Sequence, residues 1–167
     1  ASRLQGQVNG SLSLNDDDTQ YYGTYVLEDA ERYTMARLEQ RTASLTTRLD
    51  FTVSPTLSIQ FYGQPFVTTG EYSDVREVVR PRASRYEDRF AAFATTDPGG
   101  FDYKQFRSNT VLRWEYRPGS TLFLVWAQGR TSDDTFRDFD LRRSVRTLFE
   151  RHPDNTLLVK ASYWFNP

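Results

Sequence analysis

Cysteine is absent from the 167 residues, which removes disulfides, thiolate nucleophiles and cysteine-based zinc sites. The single histidine, His152, stands before Pro153 and reads as part of a helix stop, which argues against a histidine-centred triad or metal cluster. Neither charge sign dominates: 21 Lys and Arg against 22 Asp and Glu leave a net charge of −1, so no basic field points to nucleic acid. No run approaches the roughly 18–20 apolar residues of a membrane-spanning helix. Mean hydropathy is −0.67, a value compatible with strands that alternate and carry only half an apolar pattern. The chain opens at Ala1 without the basic, apolar and small-residue regions of a signal peptide.

What is present is aromatic and alternating. Phe, Tyr and Trp make up 15% of the chain, as strands and interfacial belts favour. Near the end, Leu157, Val159, Ala161, Tyr163 and Phe165 fall on one side of an extended segment over 156–166, opposite Leu158, Lys160, Ser162 and Trp164. This is the pattern of a closing barrel strand, and these five residues are the candidate assembly signal. Five further extended segments precede it, the first over 6–14.

Segments two and three meet at Ser54-Pro-Thr56, a turn signature. Setting Val53 opposite Leu57 also pairs Phe51 with Ile59, Leu49 with Phe61 and Leu45 with Pro65. The other face then receives Arg48 with Tyr62, Asp50 with Gln60, and Gln64. A one-residue slip scrambles both faces, so the register is strongly specified. Segments four and five, over 106–117 and 121–130, flank Pro118-Gly-Ser120. A three-residue loop groups Leu112, Trp114 and Tyr116 with Leu122, Leu124 and Trp126, leaving Arg113 and Glu115 on the opposite side.

Between these hairpins, residues 15–33 read as a polar and then aromatic connection. Residues 68–106 read as a long charged irregular stretch, with short helical turns near 73–79 and 84–93. Over 138–151 the period becomes helical, with Asp140 as N-cap, Leu141, Val145, Leu148 and Phe149 on one face, and Arg142, Arg143 and Arg146 outside. The expected fold is therefore all-β: an antiparallel up-and-down meander of about six strands, tight turns at one end and long loops at the other, with one short helix in the last loop.

Alternation cannot by itself distinguish lipid from a protein interior. Turn asymmetry and aromatics near strand ends favour the membrane barrel. On that reading Leu45, Leu49, Phe51, Val53, Leu57, Ile59, Phe61, Leu112, Trp114, Leu122, Leu124 and Trp126 face lipid. Arg48, Asp50, Gln60, Tyr62, Gln64, Arg113, Glu115 and Lys160 face the lumen. Six strands fall short of the eight of the smallest single-chain barrels, so further strands are expected upstream of residue 1, and residues 1–167 are expected to be one barrel segment.

Segments 38–50, 54–67, 108–126 and 158–165 resemble a bacterial family of unknown function. In that family a carbohydrate-binding-like domain of the family nine type precedes a large C-terminal outer-membrane β-barrel. The resemblance covers most of the chain, in its last strands. It implies an outer-membrane location in a Gram-negative-type bacterium and a part in surface saccharide binding or uptake. It supplies no catalytic residues.

Carboxylate pairs weigh little against this. Asp16-Asp17-Asp18 lacks the ligand spacing of a calcium loop, and Asp133-Asp134 reads the same way. Glu87-Asp88, or Asp97 with Asp102, is a glycosidase-like pair only by proximity in a charged loop. The expectation is a non-enzymatic barrel wall without cofactor, metal or nucleic acid, whose partners are outer-membrane lipid, the barrel-assembly machinery and saccharide. The alternatives are a soluble antiparallel barrel holding a small apolar ligand and an outer-membrane hydrolase.

Overall fold

The computed structural model describes residues 3–95, 97–134 and 138–165. Six long strands form one antiparallel meander: β1 (Leu4–Leu27), β2 (Ala30–Ser54), β3 (Leu57–Val78), β5 (Gly100–Arg117), β6 (Ser120–Asp134) and β7 (Asp154–Ser162). A short β4 (Phe90–Ala92) pairs with the end of β3, and one helix, α1 (Leu141–Glu150), lies between β6 and β7. The expected all-β meander with one helix is thus the observed architecture. Among the described residues β1 and β7 are not paired with each other, so the sheet is open.

The β2–β3 register follows the apolar pattern: Phe51 faces Ile59, Leu49 faces Phe61, Asp50 faces Gln60 and Arg48 faces Tyr62. One pair differs. Ser54, not Val53, faces Leu57. Ser54 Oγ accepts the Thr56 N–H at 3.3 Å, tightening the turn so that Val53 is left over as a bulge. At the second hairpin the faces sort as expected, but each pair is moved by two: Trp114 faces Leu122 and Leu112 faces Leu124. Pro118 and Gly119, the latter at φ +76, make a tighter turn than three residues, and the register irregularity falls at Tyr116.

Four expectations fail, two of them where charge masks a strand. β1 does not stop at residue 14; it continues to Leu27 and turns through Glu28 and Asp29, at φ 52 and 59, into β2. Positive φ at both central residues is the mark of a tight primed hairpin turn. A tight turn therefore stands at the end expected to carry only long loops. The polar stretch survives in the ladder because its charges find partners, as Arg37 Nε does on Asp16 at 2.9 Å. Register shifts between Asp17 and Gln20 and between Tyr21 and Gly23 break the two-residue period that would have revealed it.

Likewise, residues 68–78 belong to β3, and the turn expected near 73–79 is extended chain. Glu77 is anchored by Arg32 across the strand pair at 2.8 Å. The second expected helical region keeps only a 3-10 turn, Glu87–Arg89, before β4. Finally, β7 ends at Ser162, so Tyr163 and Phe165 lie beyond it. The Trp164 N–H donates to Ser120 Oγ at 3.0 Å instead of continuing the ladder, which carries the chain off the strand.

Gly70 is required by packing. It faces Phe101 across the β3–β5 ladder, and a Cβ at that position would stand 2.3 Å from the Phe101 ring and 3.0 Å from Leu38 Cδ1. A ring covering a backbone glycine stabilises the strand pair by filling space the glycine leaves. Gly70→Ala is expected to cost about 1–3 kcal/mol by overpacking. Adding Phe101→Ala is expected to make the Gly70→Ala change nearly neutral, a coupling that urea unfolding of the four proteins in the cycle measures.

Candidate membrane interface

Antiparallel pairing divides the sheet into two chemically opposite faces. One face carries Leu4, Val8 and Leu12 from β1, Leu45, Leu49 and Phe51 from β2, and Leu57, Ile59 and Phe61 from β3. It continues through Leu112 and Trp114, then Leu122, Leu124 and Trp126, and ends with Leu157, Val159 and Ala161. Arg48, Asp50, Gln60, Tyr62, Gln64, Arg113, Glu115 and Lys160 all lie on the other face. The ladder therefore puts these two sets of residues on opposite sides of the sheet, with Val53 at a bulge and Tyr163 and Phe165 outside the ladder.

Among the described residues no second sheet covers the apolar face. Leu4 is 60% exposed, Val8 62%, Leu157 67% and Val159 61%, and buried apolar side chains are few: Ala36, Leu38, Val67, Val75 and Leu148. A two-layer soluble domain buries its sheet face against another element; here that layer is missing over most of the surface among the described residues.

The apolar face has a sharp upper edge. It runs from Leu4 to Leu14 on β1, from Ala43 to Val53 on β2 and from Leu57 to Val67 on β3, about 33 Å along each strand at roughly 3.3 Å per residue. Beyond that edge the same face becomes polar, with Asp16, Arg37 and Glu39 clustered and Glu71 following on β3.

Helix α1 lies on this edge. Asp140 caps it by accepting the Arg143 N–H at 3.0 Å. Its ten residues rise about 15 Å, enough to cross three strands spaced about 4.8 Å apart. The helix spans from Val67 and Pro65 of β3, which share a groove with Leu141 and Val145, to Phe106 of β5, whose ring is 4.9 Å from that of Phe149. On β6, Arg130 donates to the Phe149 carbonyl and reaches the Arg151 carbonyl at 3.0 Å.

Under the helix sits a cluster that sequence reasoning missed. Lys104, fully buried, lies 2.9 Å from Asp102 and 2.9 Å from Asp134, and its Nζ is 3.3 Å from Thr147 Oγ1 of α1. Arg151, just past the helix, donates to Asp134 Oδ1 at 3.1 Å and to Ser132 Oγ at 3.1 Å. From the sequence, residues 100–105 read as part of an irregular stretch, whereas β5 begins at Gly100; the helix was expected, but not its place over this cluster.

On the polar face, Arg48 lies over the Tyr62 ring at 5.6 Å, and Tyr62 donates to Gln64 at 2.8 Å. Arg48, Asp50, Gln60, Tyr62 and Asn109 surround a shallow depression of about 270 Å³. Past the upper edge on this side, the rings of Tyr22 and Tyr72 meet at 5.5 Å and those of Tyr72 and Phe101 at 6.2 Å. The Tyr22 hydroxyl donates to the Pro98 carbonyl at 2.9 Å, tying the β3–β5 connection to β1.

Most of the carboxylates considered as ligands or acids have structural partners. Asp16 holds Arg37, Asp17 accepts from Thr19 at 2.9 Å, and Asp18 accepts from Tyr86 at 2.8 Å. Glu87 pairs with Arg85, whose hydrogen bond holds its carboxyl below the usual range. Asp102 is sealed beneath α1. No metal-binding group of acidic and histidine residues occurs among the described residues, and no helix there is long and apolar enough to cross a membrane.

A single-layer antiparallel meander with one uncovered apolar face and one polar face defines the class of this protein. A family model for a domain of unknown function, DUF5916, matches residues 2–166, and the chain belongs to that family. Nothing among curated proteins or solved structures matches it.

Proposed function

We propose that the six long strands are consecutive staves of an integral outer-membrane β-barrel, apolar face to lipid and polar face to the lumen. The height of the apolar band carries this reading. About 33 Å along a strand, tilted by roughly 40° as barrel strands are, stands about 25 Å tall, the height of the apolar band of such barrels. Three adjacent strands keep that length independently. The charged upper edge then lies at the headgroups, and α1 lies along the bilayer surface as amphipathic interfacial helices do. The open edges of β1 and β7 are paired by further strands in the closed wall, because unpaired backbone groups in hydrocarbon cost several kcal/mol each.

The protein's role is structural. Leu157, Val159 and Ala161, with Tyr163 and Phe165 beyond them, form the surface presented to the barrel-assembly machinery. Arg48, Asp50, Gln60, Tyr62 and Asn109 offer hydrogen bonds and one ring to a saccharide passing the lumen wall. Insertion is testable by fluorescence. In bilayers with brominated acyl chains, Trp114 and Trp126, on the apolar face, are expected to be quenched strongly in single-tryptophan variants. Absence of quenching, with cooperative unfolding in detergent-free buffer, overturns the membrane reading in favour of a soluble barrel.

A further inference from the structure

Helical spacing places Leu141, Val145 and Phe149 along one flank of α1, with Arg142 and Arg146 next to them. Leu141 and Val145 are 45% and 39% exposed, so this flank is only partly covered by the sheet. Between it and β1–β3 runs a groove of about 500 Å³, its lining including Leu12, Leu45, Pro65, Val67, Leu141 and Val145. That volume is within the range of small-molecule sites, about 300–1,000 Å³.

The charges beside the groove are unequally committed. Arg143 is held by Asp138 at 2.7 Å and Arg151 by Asp134 at 3.1 Å. Arg146 has only Glu150 at 3.9 Å, with both side chains exposed, and Arg142 forms no ion pair among the described residues. An apolar trough with two available guanidinium groups beside it fits an amphiphile. A neutral apolar ligand would leave the arginines unused, and a free phosphate would leave the trough empty. Guanidinium groups bind phosphate oxygens through charge-assisted, often bidentate hydrogen bonds.

We propose that this groove is a binding site for a phosphorylated, acylated lipid of the lipid A type, one acyl chain lying in the trough and a phosphate held by Arg142 and Arg146. The proposal rests on the membrane reading, which places the groove at the upper edge of the apolar band.

The test uses the full chain, folded in neutral detergent, delipidated and titrated with lipid A under native mass spectrometry. One lipid A is expected to be retained per chain, resistant to competition by phosphatidylcholine and by inorganic phosphate. Arg142→Glu/Arg146→Glu and the groove-filling Leu141→Phe/Val145→Phe are each expected to reduce occupancy at least tenfold. Equal retention by all three proteins, displacement by inorganic phosphate alone, or no retention overturns the site. Quenching of Trp114 and Trp126 by brominated lipid, measured in parallel, separates the two claims. Quenching without lipid A binding removes only the groove, whereas absent quenching removes the membrane reading itself.

Discussion

Lys104→Met is expected to destabilise the protein by about 3–5 kcal/mol, because it leaves the buried Asp102 without its counter-charge. Asp102 is 1% exposed and Lys104 0%, so no solvent replaces the lost ion pair. The Lys104 ammonium, 2.9 Å from Asp102, is the principal compensation for its buried charge. Urea unfolding of the detergent-folded protein measures the loss. Lys104→Met with Asp102→Leu is expected to recover most of it, since removing both charges removes the penalty of leaving one alone. A single-variant loss below about 1 kcal/mol would show that water reaches the cluster.

Leu49→Arg carries the second large effect. Leu49 faces Phe61, which faces Thr110, in the middle of the apolar band. A guanidinium there meets hydrocarbon if the face touches lipid, at a cost of about 2–4 kcal/mol for a midplane site. Gln60→Arg, one residue from Phe61 but on the opposite face, is expected to assemble normally because a lumen supplies water. Folded fraction in vesicles, read by heat-modifiable gel mobility, distinguishes them. Equal tolerance of both substitutions would contradict the assigned facing. Equal failure would mean that both faces are dry.

Alternation made the central part of the fold legible. Phe51 with Ile59 and Asp50 with Gln60 sort under a single register, because a period of two leaves one way to keep both faces consistent. The helix was legible for a similar reason: Asp140 supplies a cap, Pro153 follows its end, and Leu141, Val145 and Leu148 keep its period. Where bulges offset the period, near residues 17–23 and 35–37, the strands disappear from the pattern although the ladder continues through them. Ion pairs such as Arg32 with Glu77 then stabilise extended chain that reads as loop.

The amino-acid sequence by itself determined two faces of opposite polarity, the register along most of the first hairpin and the existence of a short capped helix, since each follows from spacing along the chain. Only the tertiary structure decided where that helix lies, because docking depends on residues far apart in sequence. Lys104, Asp134, Thr147 and Arg151 meet because β5, β6 and α1 are brought together. The same meeting creates the groove beside Leu141 and Val145, for which no local pattern in the chain is a sign.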